Sequence, residues 1–266
     1  MFELVEPIGS IPYWADDSAE PMFALGFTDF WDTYFAGRAA PLGVVPAEVV
    51  DALFYNFAPG EVARHIPEVW RTTTPEAALA ARHEGCVRVL RRVLGDDVRS
   101  PAFARAAELL VAAATSAPVE GRPMYAALRS LRPPEEPAPL LFHAASLLRE
   151  HRGEGHVGVL MVEGIGGLES HVLAALEMGM APERFGRLHH LPRAQIDAVV
   201  TGMRERGLVG DDGSFTERGR IVKQRIEDRT DDLAAVPYEQ MAPGDLRELT
   251  ALLEPIAGRL AAEQPW

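Results

Sequence analysis

The chain has 266 residues, of which 47% are hydrophobic and 24% charged, an ordinary globular composition with enough length for a sizeable core. Its formal net charge of −13 removes the general phosphate attraction behind nonspecific nucleic-acid binding, so any DNA contact must come from a local basic patch. The single cysteine, Cys86, excludes an internal disulfide. Its flanks, RHEGCVRVLRRVL, read as an amphipathic helix that makes it a small, half-buried packing residue.

The opening MFELVEPIGSIPYW has no basic stretch followed by a long apolar run, and no window holds eighteen uncharged apolar residues. The expected location is the cytoplasm, with no membrane contact. Of the 26 basic residues 25 are arginine, with Lys223 the lone lysine. Together with abundant Ala and Val this points to a GC-rich bacterial genome.

In chain order, helical signals dominate. PAEVVDALFYNFAP places Val49, Val50, Leu53, Phe54 and Phe57 at helical spacing between Pro46 and Pro59. Thr74 caps a helix that begins at Pro75 and stops at Gly95, and Ser100 caps another that begins at Pro101 and ends before Pro118. GRPMYAALRSL gives a shorter helix, followed by the proline-rich turn RPPEEPAP over 132–139. Leu140, Leu141, Ala144, Leu147 and Leu148 form the next apolar stripe. Gly153 and Gly155 interrupt it before the apolar run from Val157 to Val162, which reads as a further helix. GIGG, 164–167, is a flexible joint and the expected boundary between a helical region, 1–166, and a second region, 167–266.

The second region has a specific order of parts. LESHVLAALEMG is an amphipathic helix, PERFGRLHH a short helix, and LPRAQIDAVVTGMRERGLV a longer one with Ile196, Val199, Val200 and Met203 on its apolar face. Asp212-Gly213 supplies hairpin chemistry, and Thr216 caps a final long helix. Short helix, turn, longer helix, hairpin, helix is the layout of a winged helix-turn-helix. RERGLV (204–209) and DGSFTERGR (212–220) resemble the end of the recognition helix, the wing and the following helix of MarR-like domains. The expected fold is therefore mainly α: a helical N-terminal region plus a C-terminal winged helix-turn-helix with a small β-hairpin wing. Over a wider span, YFAGRAAPLG (34–43), FYNFAP (54–59), LREHRGEGHVGVL (148–160) and RIEDRTDDLAAVP (225–237) resemble an actinobacterial family of helical proteins, the SCO6745-like type. That resemblance implies helices coupled to a winged helix and brings no catalytic residues.

On such a fold the N-terminal residues of the second helix meet the DNA groove. Arg193 and Gln195 have the chemistry for base edges or phosphates, and Arg218 and Arg220 for backbone contacts from the wing. Asp197, Asp211 and Asp212 oppose this, and residues 168–266 hold 12 basic against 17 acidic groups.

The stretch LLREHRGEGHVGVL admits three readings. A metal site is disfavoured, since a spacing of five positions from His151 to His156 sets them roughly 140° apart on a helix. No metal or cofactor is expected. A structural reading makes it a helix end, with Glu150 and Glu154 paired to arginines. A ligand reading joins His151, Arg152, Glu154 and His156 to the aromatic-rich N-terminal half, where Trp31, Tyr34, Phe35, Phe54 and Tyr55 surround Arg38 and Asn56. His189-His190 reads as a solvated turn. No G-x-S-x-G, P-loop, dinucleotide or H-E-x-x-H signature is present.

These features point to a small-molecule-binding regulator of transcription, a homodimer whose partners are an organic ligand and double-stranded DNA. The alternatives are a sequestration or resistance protein that does not bind DNA, and an enzyme using the His151–His156 stretch for acid–base chemistry.

Overall fold

The computed structural model describes residues 1–264, apart from the side chains of Arg187 and His189. The expectation for the His189 side chain lies outside the described residues. Six helices lead the chain: α1 (Phe2–Gly9), α2 (Ile11–Trp14), α3 (Glu20–Ala24), α4 (Phe30–Ala39), α5 (Ala47–Phe54) and α6 (Val69–Thr72). Then come α7 (Pro75–Leu94), α8 (Pro101–Ser116), α9 (Pro123–Arg129) and α10 (Pro137–Val162). The remainder is α11 (Gly167–Glu177), α12 (Arg193–Glu205), α13 (Glu217–Glu239) and α14 (Pro243–Ala261), with 3-10 turns at Pro182–Arg184 and Gly186–His190 between α11 and α12.

The helix starts follow local chemistry. Thr74, Ser100 and Thr216 each accept a backbone N–H three residues on, from Ala77, Phe103 and Gly219 at 3.2, 3.1 and 2.9 Å. Such caps satisfy donors that the first turn otherwise leaves free.

α10 organises the packing. It lies against α1, α7, α8, α9 and α13. Its first half supplies Leu141, Phe142, Leu147 and Leu148 to a core shared with α1, α7 and α8, and α14 returns to this core through Leu249, Leu253 and Leu260. A second core gathers Phe35, Phe54, Phe57 and Ile66 from α4, α5 and the chain that follows. The end of α10 gives Val159 and Leu160 to a third core with Val172, Leu173, Ile196, Met203 and Ile226.

Three expectations are corrected. Gly153 and Gly155 do not interrupt α10, which runs unbroken through both. A glycine costs a helix about 1 kcal/mol, less than the burial that the flanks of α10 gain on several neighbours. The stretch is therefore the middle of a helix and not its end. α5 stops at Phe54, not at Pro59, because Tyr55 turns to φ 57° and the Asn56 N–H closes onto the Phe54 carbonyl at 2.6 Å. This is a γ-turn in a region rarely tolerated outside glycine.

The third correction concerns the wing. Among the described residues there is no strand or sheet, so the small β-hairpin wing is absent, while the mainly α expectation holds. Val209 and Phe215 form one isolated antiparallel bridge. The Leu208 N–H still bonds the Met203 carbonyl of α12, and Thr216 already caps α13, so too few residues remain to alternate as strands. Between them Asp212 accepts from the Ser214 N–H at 3.0 Å and folds the segment into a tight turn around Gly213.

At the joint, α10 and α11 meet at 101°. A Cβ on Gly167 would fall 2.1 Å from the Tyr55 carbonyl oxygen, so only glycine lets α11 begin against the γ-turn. No single helix among the described residues is long and apolar enough to cross a membrane.

Gly153 and Gly158, by contrast, have open space where a Cβ would go. Gly153→Ala and Gly158→Ala should each raise stability by about 0.5–1 kcal/mol in urea unfolding. Gly167→Ala should lower it by more than about 2 kcal/mol.

Candidate functional site

A cleft of about 480 Å³ opens where α4, α5, α10, α11 and α13 converge, with Phe2 of α1 at its edge. Tyr34, Arg38, Phe54, Tyr55, Asn56, Arg152, Glu154 and His156 all line it. The sequence reading had grouped these residues across a gap of about a hundred positions, and the fold brings them together.

At its base Arg38 grips Glu150 with two parallel bonds, Nε to Oε1 at 3.2 Å and Nη2 to Oε2 at 3.1 Å. Its Nη1 donates to the Tyr34 hydroxyl at 2.9 Å, and the guanidinium lies 4.2 Å from the centre of the Phe54 ring. The side chains of Arg38 and Glu150 are only 16% and 8% exposed. Burial opposes ionisation of Glu150, but the Arg38 guanidinium, with Arg149 and Arg82 behind it, outweighs burial and holds the carboxyl below its ordinary value. Burial raises the Tyr34 phenol despite Arg38.

Glu154 does a different job. Its carboxylate accepts from the backbone N–H groups of Met124 and Tyr125 at 2.7 and 2.9 Å and so caps α9. Burial raises its pKa against those bonds. The His156 Nδ1 lies 3.0 Å from the Thr230 hydroxyl, whose own proton goes to the Ile226 carbonyl at 2.7 Å. His156 must therefore donate from Nδ1, which leaves the lone pair of its neutral ring on Nε2. Arg152 stacks on Phe2 at 3.9 Å and reaches Glu227 and Asp231 at 3.4 and 3.3 Å, while its Nε is buried without a partner.

Three of the expected ligand residues lie elsewhere. Phe35 is fully buried in the second core, stacked on His65 with ring centres 4.6 Å apart. Trp31 packs edge-on against Tyr34 and Phe57 and meets His190 at 5.9 Å. His151 is 1% exposed and turned to the Tyr125 ring, and burial pushes its pKa down to about 4.

Sequence reasoning missed Arg149, His171, Phe185 and Lys223, which also line the cleft. Lys223 carried a signal in being the only lysine. It bonds Glu177 of α11 at 2.8 Å and Glu227 of its own helix, and it lines both this cleft and a groove of about 840 Å³ between α11, α12 and the start of α13.

On α12, Arg193 is exposed but held by Asp197 at 3.0 Å and Glu183 at 3.1 Å. Gln195 is half-buried, and Arg218 and Arg220 stand exposed in the first turn of α13. Arg193 and Arg220 line the same groove.

A profile described as a helix-turn-helix family matches residues 1–265. The chain belongs to this helix-turn-helix family. Because the match runs through both halves, the helices that form the cleft are part of the family pattern together with α11 and α12. No curated protein and no solved structure matches the chain.

This helix-turn-helix protein also carries five imidazoles depressed chiefly by burial: His83, His143, His151, His156 and His171. Each stays neutral in the fold at pH values where the unfolded chain is protonated. The stability they contribute is complete above about pH 6.5 and is lost as pH falls towards 4, the range in which the folded groups of His83 and His151 titrate. Urea unfolding should show the free energy falling steeply from pH 7 to pH 5 with proton uptake on unfolding. A flat profile over that interval would contradict the burial of these rings.

Proposed function

We propose that this helix-turn-helix protein is a ligand-responsive DNA-binding regulator that acts as a dimer and takes a small organic molecule in the cleft. The observation that carries this reading is the cleft's composition. One wall comes from α4, α5 and α10, the other from α11, α13 and the turn at Phe185 and Gly186 that leads into α12. A molecule seated there touches both the N-terminal helices and the segment that sets the angle of the recognition helix. Aromatic walls interleaved with many charged and polar side chains suit an organic ligand with polar substituents. The ligand acts by favouring one α12 position over another, to the extent that it binds the two differently.

Charge favours a second reading, a small-molecule-binding protein that does not bind DNA. Arg193 is tied to two carboxylates, and residues 168–266 carry a net −5. One experiment separates the two. Electrophoretic mobility shift with DNA flanking the protein's own gene, at low salt, should give a discrete complex at or below micromolar protein. The double variant Arg218→Ala/Arg220→Ala should weaken it at every salt concentration and flatten its salt dependence. No complex at micromolar protein would overturn the regulator and leave the second reading.

A further inference from the structure

We propose that a second cavity, between α7, α9 and α10, is a binding site for an uncharged, largely apolar ring compound that carries one hydrogen-bond donor. This site is separate from the cleft and does not rest on the regulator reading.

The cavity measures about 270 Å³. Leu79, Leu128, Leu131 and Phe142 give it apolar walls, and its polar lining is His83 and His143 together with Glu76, Arg82, Arg132 and Ser146. Most of the surface it presents is apolar, as in a small-molecule pocket. Its size suits a molecule of one or two fused rings, since an apolar cavity of about 150 Å³ already accepts benzene.

The two imidazoles distinguish it from a packing gap. His143 is 6% exposed, and the His83 Nε2 is fully buried without a partner. Among the described residues neither ring hydrogen-bonds the protein, although buried polar side chains are nearly always bonded. His83 meets Phe142 only edge-on, with centres 5.2 Å apart. Burial holds both rings below their ordinary pKa, that of His83 at about 4, so both are neutral near pH 7. A neutral imidazole always offers one acceptor nitrogen, and what it lacks here is a donor from outside the protein.

The cations nearby do not convert this into an anion site. Arg82 donates one N–H to the Tyr13 hydroxyl at 3.3 Å, and the exposed Arg132 pairs with Glu135. The neighbouring Ser146 hydroxyl donates to the Phe142 carbonyl at 2.9 Å. Glu76 adds a negative charge to the lining. The ligand class that remains is a neutral aromatic N–H or O–H compound.

Indole is the probe, 1-methylindole its counterpart without a donor, and benzoate the anionic control. Titration calorimetry on the full chain at pH 7.5 should show indole binding, with 1-methylindole at least about tenfold weaker for the lost hydrogen bond and benzoate weaker than indole. NMR shifts of the His83 and His143 rings should move with indole. Ala80→Trp, at an exposed α7 position in the lining, should fill the space and abolish binding while the thermal melt stays unchanged. Should that variant disturb the melt, His83→Phe, which keeps an apolar wall and removes both ring nitrogens, serves instead and should bring indole down to the affinity of 1-methylindole. The proposal is overturned if indole shows no saturable binding at millimolar concentration, if the two indoles bind equally, if benzoate binds tighter, or if the filled variant binds as the wild type does.

Discussion

The ion pair between Arg38 and Glu150 is the constraint on which the rest of this structure depends. Two charges taken out of water are costly, and they persist only where geometry is good and other hydrogen bonds satisfy the remaining donors and acceptors. Here the guanidinium meets the carboxylate bidentately, spends its third nitrogen on Tyr34 and rests on the Phe54 ring. The pair fixes α4 against the middle of α10. With that distance set, the aromatic core of α4 and α5 and the base of the cleft are both placed.

α10 extends this constraint to the helix-turn-helix. Its first half belongs to the core that α14 rejoins, and its end belongs to the core of α11, α12 and α13. At the bend the Tyr55 hydroxyl donates to the Ile165 carbonyl at 2.6 Å, and the Tyr55 backbone presses on Gly167. A residue held at positive φ by its surroundings stores strain of order 1–3 kcal/mol. This clamp sits next to the cleft and at the root of α11. Lys223 lines both the cleft and the groove beside α12.

What the sequence revealed, and what it hid, follows the range of the forces involved. Caps at Thr74, Ser100 and Thr216 were legible because a hydroxyl three residues before an N–H is a local fact. The end of α5 was not, because Tyr55 is turned by contacts more than a hundred residues away. Gly153 and Gly155 misled because propensity is local, whereas the burial that keeps α10 straight is tertiary. Asp212-Gly213 marked a turn correctly, but a turn does not bring strands with it. In the cleft, residue chemistry was legible and direction was not. Tyr34 and Phe35 are neighbours in sequence, yet one faces the cleft and the other fills a core. Glu154 had the chemistry of a ligand contact and serves as a helix cap.

The most direct measurement is a double-mutant cycle on Arg38→Met and Glu150→Gln, read by equilibrium unfolding. If the pair fixes α4 to α10, each single variant strands a buried polar partner and loses about 3–5 kcal/mol. The double variant then loses much less than their sum, with a coupling of more than about 1 kcal/mol. Losses that add to within about 0.5 kcal/mol would show that the two side chains act independently and that something else holds α4 to α10.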